Sequence, residues 1–158
     1  MTEWLDEQTI LYEIALDYRI KSYASIVGKY ERYLNSSRHV SQVFNDVPGF
    51  RAFYDSYASV LALNCPSFSI ADLSSGKAAD DGYRGVHLYF QLDNDHYPIE
   101  IQFNTLYDRQ LNNWLHDYLY KKACPNEVGQ QLRVRYENGK IRNQSEFEEA
   151  LDDVLSGG

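Results

Sequence analysis

The chain has 158 residues, enough for one domain with a substantial hydrophobic core. Hydrophobic residues make up 44% of it, which excludes a disordered chain, and no apolar run approaches the length that spans a membrane. The formal net charge of −8 argues against a nucleic-acid partner, because binding to a phosphate backbone requires an excess of Lys and Arg.

The positive charges are unevenly distributed along the chain. Residues 18–51 carry six Lys and Arg residues against two acidic ones. A local basic patch on an acidic protein suits a small anionic ligand better than a long polyanion. The first residues do not form a basic region followed by an apolar block, and Cys65 and Cys124 have no metal-binding or redox spacing. We therefore expect a cytoplasmic protein with two free thiols.

Hydrophobic periodicity and capping residues predict the elements of the N-terminal half. Apolar residues at helical spacing predict an opening helix over residues 2–18, and Ser22 is the expected N-cap of a helix over residues 23–34. A strand over residues 47–54 begins at Pro48-Gly49. A short helix over residues 55–63 and a short edge strand over residues 65–71 follow it.

The C-terminal half begins with a loop over residues 74–82 that is rich in Gly, Ser, Ala and Asp. Alternating apolar and polar residues predict strands over residues 83–92 and 97–103, joined by a polar turn. Helices are predicted over residues 105–122, 126–135 and 146–155, the last capped by Ser145 with Glu148 at the capping-box position. The expected fold class is α+β, with helices around a small sheet in a single domain over residues 1–158.

Four cations converge on the predicted start of the second helix. Lys29 and Arg32 are three residues apart and share a helix face, while Arg19 and Lys21 precede the helix. Backbone N–H groups and the dipole at a helix N-terminus also favour an anion, so the set could clamp a triphosphate. Spacing alone favours the alternative, a basic face exposed to solvent.

Two carboxylates, Asp46 and Glu100, are the candidates for metal binding and proton transfer. If their strands are neighbours, the carboxylates meet at the edge of the sheet and could hold Mg²⁺ together with substrate phosphates. One of them could accept a proton from a hydroxyl nucleophile. The alternative is that Glu100 points to solvent while Ile99, Ile101 and Phe103 form the core face.

A third set combines aromatic, basic and histidine side chains: Tyr83, Arg84, His87 and His116. Aromatic rings stack on nucleobases, and a histidine can bond a phosphate or a ribose hydroxyl. A lone histidine is more often structural than catalytic, and His39 and His96 have the sequence context of surface residues.

Six segments occur in an order that is typical of one enzyme family: RIKSYASIVGKYER, FNDVPGFRAF, GYRGVH, PIEIQFNT, HDYLYK and RYENGKIRNQSEFEEAL. In these segments the sequence resembles the RelA/SpoT synthetases, the nucleotide pyrophosphokinases that make guanosine alarmones. The resemblance extends over most of the chain, from about residue 19 to residue 121, and the last segment fits the family's closing turn and helix. It implies a mixed sheet of the nucleotidyltransferase type, flanked by helices.

The resemblance also implies roles for individual residues. The donor side, which holds the phosphates and adenine of ATP, is implied to consist of Arg19, Lys21, Lys29, Arg32 and Arg51. Asp46 and Glu100 are implied to hold Mg²⁺, and Glu100 to activate the acceptor hydroxyl. The acceptor side, with Tyr83 stacked on guanine and His87 near the acceptor's phosphates, is implied to include Tyr83, His87, Lys77, Arg84 and His116.

The sequence departs from the family pattern mainly on the acceptor side. Asn104 stands where the family usually has Arg, and Leu111 stands where it has Trp. The loop before Tyr83 lacks the usual Pro-Lys pair and Asn. Lys77 stands in for the lysine, and Asp80 and Asp81 add negative charge.

The activity that the resemblance implies is Mg²⁺-dependent transfer of pyrophosphate from ATP to the 3′-hydroxyl of GTP or GDP. One alternative is a toxin-like member that modifies an adenine nucleotide or the 3′ end of tRNA. Others are a nucleotide-binding domain that keeps only the ATP half, and a fold relic without a ligand. Small members of the family often self-associate, so a homo-oligomer is left open.

Overall fold

The structure of the chain is a computed structural model that describes residues 16–38, 40–93, 95–122 and 124–157. Its elements in chain order are β1 (Leu16–Ile20), α1 (Tyr23–Tyr33), α2 (Val40–Val43), β2 (Pro48–Phe53), α3 (Ala58–Leu61), β3 (Phe68–Leu73), β4 (Gly85–Phe90), β5 (Ile99–Asn104), α4 (Leu106–Tyr118), a 3₁₀ turn (Tyr120–Lys122), α5 (Asn126–Glu137) and α6 (Gln144–Leu155).

The five strands form one sheet in the order β1-β2-β5-β4-β3. β1 pairs with β2, and β4 pairs with β5, in antiparallel fashion. The α+β class with a mixed sheet flanked by helices is confirmed. None of the helices in the described part of the chain is long and apolar enough to cross a bilayer.

Most predicted elements are present, and several of them are shorter than expected. The opening helix is wrong at its end, because Leu16–Ile20 is a strand whose Tyr18 lies opposite Phe50 of β2. Residues 2–15 lie outside the described part. The hairpin strand begins at Gly85 rather than at Tyr83, so Tyr83 belongs to the preceding loop. The predicted edge strand is β3, at the end of the sheet.

The chain divides into two compact units, each with its own core. The first unit runs up to Ala71 and includes residues 86–103, and its core is built from side chains on one face of the strands together with α3: Val60, Val86, Leu88 and Phe103. The second unit comprises residues 72–85 and 104–158, and α4, α5 and α6 contribute its core, including Leu111, Leu115, Leu132, Tyr136 and Phe147. The prediction of a single domain remains a prediction.

Helix caps decide where three of the helices begin. Ser22 caps α1 as predicted, since its hydroxyl accepts a hydrogen bond from the Ser25 N–H. The predicted cap of the last helix is wrong. Asn143, not Ser145, is the N-cap of α6, and its Oδ1 accepts from the Glu146 N–H at 3.0 Å. Glu146 therefore stands at N3, where Glu148 was expected, and Glu148 instead accepts a hydrogen bond from the Tyr118 hydroxyl.

Removing the true cap tests this assignment. Asn143→Ala is expected to lower the free energy of unfolding by about 1 kcal/mol, because the Glu146 N–H loses its partner. The control Ser145→Ala lies inside the helix and is expected to change it by less than about 0.5 kcal/mol. Urea denaturation followed by circular dichroism measures both. Equal losses in the two variants would contradict the assignment.

Candidate active site

Glu100 lies on the face of β4 and β5 opposite to the first core. Val86 and Leu88 of β4 point into that core, so the intervening His87 and Tyr89 point to the other face. The register pairs Tyr89 with Glu100 and His87 with Gln102. Alternation and register together therefore bring four polar side chains onto one face of the hairpin.

Three side chains hold the Glu100 carboxylate. Oε1 accepts a hydrogen bond from the Tyr89 hydroxyl at 3.0 Å and lies 3.1 Å from Nδ1 of His87. Oε2 accepts from Nε2 of Gln102 at 2.8 Å. Glu100 is only 4% exposed, so the alternative that it points to solvent is wrong.

The surroundings of Glu100 favour its charged form. Burial raises its pKa, but the hydrogen bond and charge of His87 and the hydrogen bonds from Gln102 and Tyr89 together outweigh burial. The pKa of Glu100 therefore lies below its ordinary value. A buried carboxylate that remains ionised at neutral pH can accept a proton.

Asp46, just before β2, joins two of the four predicted cations. Its Oδ1 lies 2.9 Å from Nζ of Lys29, and its Oδ2 accepts from Nζ of Lys21. Burial raises the pKa of Asp46, but the hydrogen bonds and charges of the two lysines outweigh it and lower the pKa. The segment before α1 and the middle of α1 thus present two ammonium groups at one carboxylate.

The other donor-side residues are not part of this cluster. Arg32 is exposed and donates to the carbonyl oxygen of Gly28 in its own helix at 3.2 Å. Arg19 lies in β1 opposite Gly49, and its side chain is outside the described part. Arg51 in β2 donates from Nε to Oε1 of Gln102 at 3.4 Å. Gln102 therefore connects Arg51 to Glu100.

The expected position of the two carboxylates needs one correction. β2 and β5 are neighbours, as that expectation required, but β5 is the central strand of the five. Glu100 therefore lies in the middle of the sheet and not at its edge. No group of three or more His, Cys, Asp or Glu that could hold a metal occurs among the described residues.

The second unit carries the predicted acceptor loop, in which cations are paired internally. Lys77 forms an ion pair with Asp81, and its Nζ lies 5.2 Å from the centroid of the Tyr83 ring. Arg84 forms a bidentate pair with Asp80 at 2.7 and 2.9 Å. His116 is exposed and lies 3.2 Å from Asp117.

Buried polar groups hold this loop in place. Arg133 is fully buried, and it donates to the Gly82 carbonyl at 2.7 Å and to Oδ1 of Asp108 at 2.8 Å. Asn104 and Asn112 both donate to the Arg84 carbonyl, at 3.1 and 2.6 Å. Oδ1 of Asn104 is buried without a hydrogen-bond partner among the described residues.

The sequence reasoning missed several of these residues. Tyr89 and Gln102 could have been found, because strand alternation places both on the Glu100 face. Arg133 could not, because a single Arg in a helical segment reads as solvent-exposed. Cys65 and Cys124 are free, as expected.

Comparisons with known proteins bear on the fold. No family model matches the chain, and no curated protein matches it. Solved structures do match. Small alarmone synthetase 1 from Bacillus subtilis, bound to its product pppGpp, is 20% identical with a TM-score of 0.55, over 98% of this chain and 83% of that one. The chain has the fold of the small alarmone synthetases.

Two further structures have the same fold. Small alarmone synthetase 2 from Bacillus subtilis is 21% identical with a TM-score of 0.54, over 98% of this chain and 84% of that one. A GTP pyrophosphokinase family protein from Streptococcus pneumoniae is 23% identical with a TM-score of 0.53, over 86% of this chain and 78% of that one. At these identities the likeness establishes the fold, and the activity has to be argued from the residues.

The Asp46 cluster predicts a pH-dependent loss of stability. Asp46→Asn removes the anion that faces two lysines, each 16% exposed, and is expected to cost about 1–3 kcal/mol at pH 7. Because the pKa of Asp46 is lowered in the folded state, this contribution is present above pH 3.8 and is lost as the pH falls further.

Urea denaturation at a series of pH values measures the effect. Asp17→Asn is the matched control, since Asp17 is 63% exposed and 3.9 Å from Arg51, and a change below about 0.5 kcal/mol is expected. A loss in Asp46→Asn no larger than in the control would contradict the cluster.

Proposed function

We propose that the chain transfers pyrophosphate from ATP to the 3′-hydroxyl of a guanine nucleotide, GTP or GDP. The observation that carries the proposal is Glu100, a buried carboxylate whose lowered pKa keeps it ionised, in a chain with the fold of the small alarmone synthetases. The Lys21–Asp46–Lys29 cluster in the same unit supports it, because it offers ammonium groups to a polyphosphate.

The proposed reaction breaks one phosphoanhydride bond and forms one ester bond. The acceptor's 3′-oxygen attacks the β-phosphorus of ATP, the bond between that phosphorus and the α,β-bridging oxygen breaks, and AMP leaves. Glu100 takes the proton of the attacking hydroxyl. Lys21 and Lys29 neutralise charge on the phosphates, so catalysis is mostly positioning and charge stabilisation.

The proposal includes Mg²⁺. Asp46 and Glu100 fit this ion, because both are ionised carboxylates, and Mg²⁺ is usually held by one or two carboxylates together with substrate phosphates. When bound, the ion neutralises charge that develops on the transferred phosphates. In its absence the lysines balance Asp46, so a bound ion and these lysines share one carboxylate.

A different acceptor is the second candidate. Lys77 and Arg84, the predicted acceptor-side cations, are already paired with Asp81 and Asp80. A loop with this charge balance attracts an acceptor's phosphates less than free cations would. This favours acceptors with few phosphates, and it keeps an adenine nucleotide or the 3′ end of tRNA in the panel.

The purified chain should be incubated with Mg²⁺, ATP labelled in the β-phosphate and separate acceptors: GMP, GDP, GTP, ADP and tRNA. Label transfer to GDP or GTP is expected. Transfer to ADP or tRNA alone would select the second candidate. ATP binding without transfer to any acceptor would leave a nucleotide-binding domain.

Glu100→Gln tests the assignment of the base. Transfer is expected to fall by about 10²- to 10⁴-fold, because the amide cannot accept the hydroxyl proton, while ATP binding stays within about two-fold. Glu149→Gln is the matched control, since Glu149 is an exposed glutamate in α6, and it should transfer like the wild type. Undiminished turnover in Glu100→Gln would remove Glu100 from the mechanism.

A further inference from the structure

A cavity of about 380 Å³ in the first unit is not assigned to any substrate. Its lining consists of two aromatic residues, two prolines, two amides and two serines: Phe68, Tyr89, Pro66, Pro98, Asn45, Gln91, Ser67 and Ser69. The volume is within the range of small-molecule sites, which is about 300–1,000 Å³. None of these eight residues is charged at neutral pH, so the cavity suits an uncharged ligand or the uncharged part of a larger one.

The composition of the walls points to a planar heterocycle. Phe68 and Tyr89 offer aromatic surface to a stacked ring, and stacking is favourable for every base. Asn45 and Gln91 each carry both a hydrogen-bond donor and an acceptor, as the edge of a nucleobase requires. The serine hydroxyls can also donate and accept, which suits a sugar.

Two lining residues contact the residues of the candidate active site. Tyr89 donates its hydroxyl proton to Glu100 at 3.0 Å, so one wall of the cavity is bonded to the proposed base. Oδ1 of Asn45 lies 3.5 Å from Nζ of Lys29, and Asn45 directly precedes Asp46. The uncharged cavity therefore adjoins both the proton acceptor and the phosphate-binding cations.

We propose that this cavity binds the base and ribose of the acceptor nucleotide, with the ribose at the Tyr89 side; this rests on the proposed function. The acceptor is the substrate whose hydroxyl must reach Glu100, and Tyr89 is the residue shared by the cavity and Glu100. Tyr89 then positions Glu100 and also contacts the substrate.

The resemblance instead implied that Tyr83 stacks on the base. In the second unit the ammonium of Lys77 lies over the Tyr83 ring, 5.2 Å from its centroid, and Lys77 is paired with Asp81. A base that stacked on this face would have to displace the ion-paired lysine. The cavity in the first unit requires no such displacement.

Filling the cavity tests the proposal without turnover. Ser69→Trp places an indole in it, whereas the control Ile70→Trp changes the next residue of β3, which does not line the cavity. Isothermal titration with GDP and with ATP is expected to show GDP binding weakened about ten-fold or more in Ser69→Trp. ATP binding should stay within about two-fold in both variants. Ser67→Trp repeats the test if thermal unfolding shows that Ser69→Trp is not folded.

Each outcome decides between the accounts. Unchanged GDP binding in a folded cavity-filling variant, weakened ATP binding in place of GDP, or no GDP binding by the wild type overturns the cavity assignment. A larger loss of GDP affinity in Tyr83→Leu than in Ser69→Trp would return the base to Tyr83. If the wild type binds GDP, loses it in Ser69→Trp and transfers nothing, the cavity assignment stands and the proposed function fails.

Discussion

The negative charge of Glu100 has to be satisfied in the middle of a sheet, and the polar face of the first unit is built around that requirement. A buried charge is costly unless it is paired and hydrogen-bonded. Here Tyr89, His87 and Gln102 supply those partners from the same two strands. The opposite face carries the core residues Val86, Leu88 and Phe103, which fix the register that brings the partners together.

Gln102 extends this arrangement toward the donor side. Its amide nitrogen donates to Glu100 while its oxygen accepts from Arg51, so one side chain links the proposed base to a cation of the neighbouring strand. Asp46 performs a similar service for Lys21 and Lys29, which would repel each other without it. In the second unit Arg133 takes this part, since it is a fully buried cation paired with Asp108 and bonded to the Gly82 carbonyl.

Much of the fold could be predicted from local patterns. The Ser22 cap, the alternating hairpin strands and the apolar spacing of the later helices are all short-range features, and they were found in the sequence. The end of the opening helix was not, because β1 is defined by its pairing with β2, which is not visible in a local window. The Asn143 cap was missed because Ser145, two residues later, has the same chemistry and is followed by a similar acidic pattern.

The candidate site was predicted in part. The resemblance singled out Asp46, Lys21, Lys29 and Glu100, and the structure places the first three together and surrounds the fourth with polar partners. The burial of Glu100 could not be predicted, because strand alternation specifies that a residue shares a face but not whether that face is covered. The pairing of Lys77 and Arg84 with Asp81 and Asp80 depends on the path of one loop, which spacing alone leaves open.

The central claim is that the chain moves a pyrophosphate group from ATP onto a nucleotide hydroxyl with Glu100 as the base. The most direct measurement is mass spectrometry of the products after ATP, GDP and Mg²⁺ are mixed with the wild-type chain. The account predicts AMP and a guanosine nucleotide with two added phosphates at the 3′ position, formed in equal amounts. Formation of ADP in place of AMP, or recovery of unmodified GDP, would contradict it.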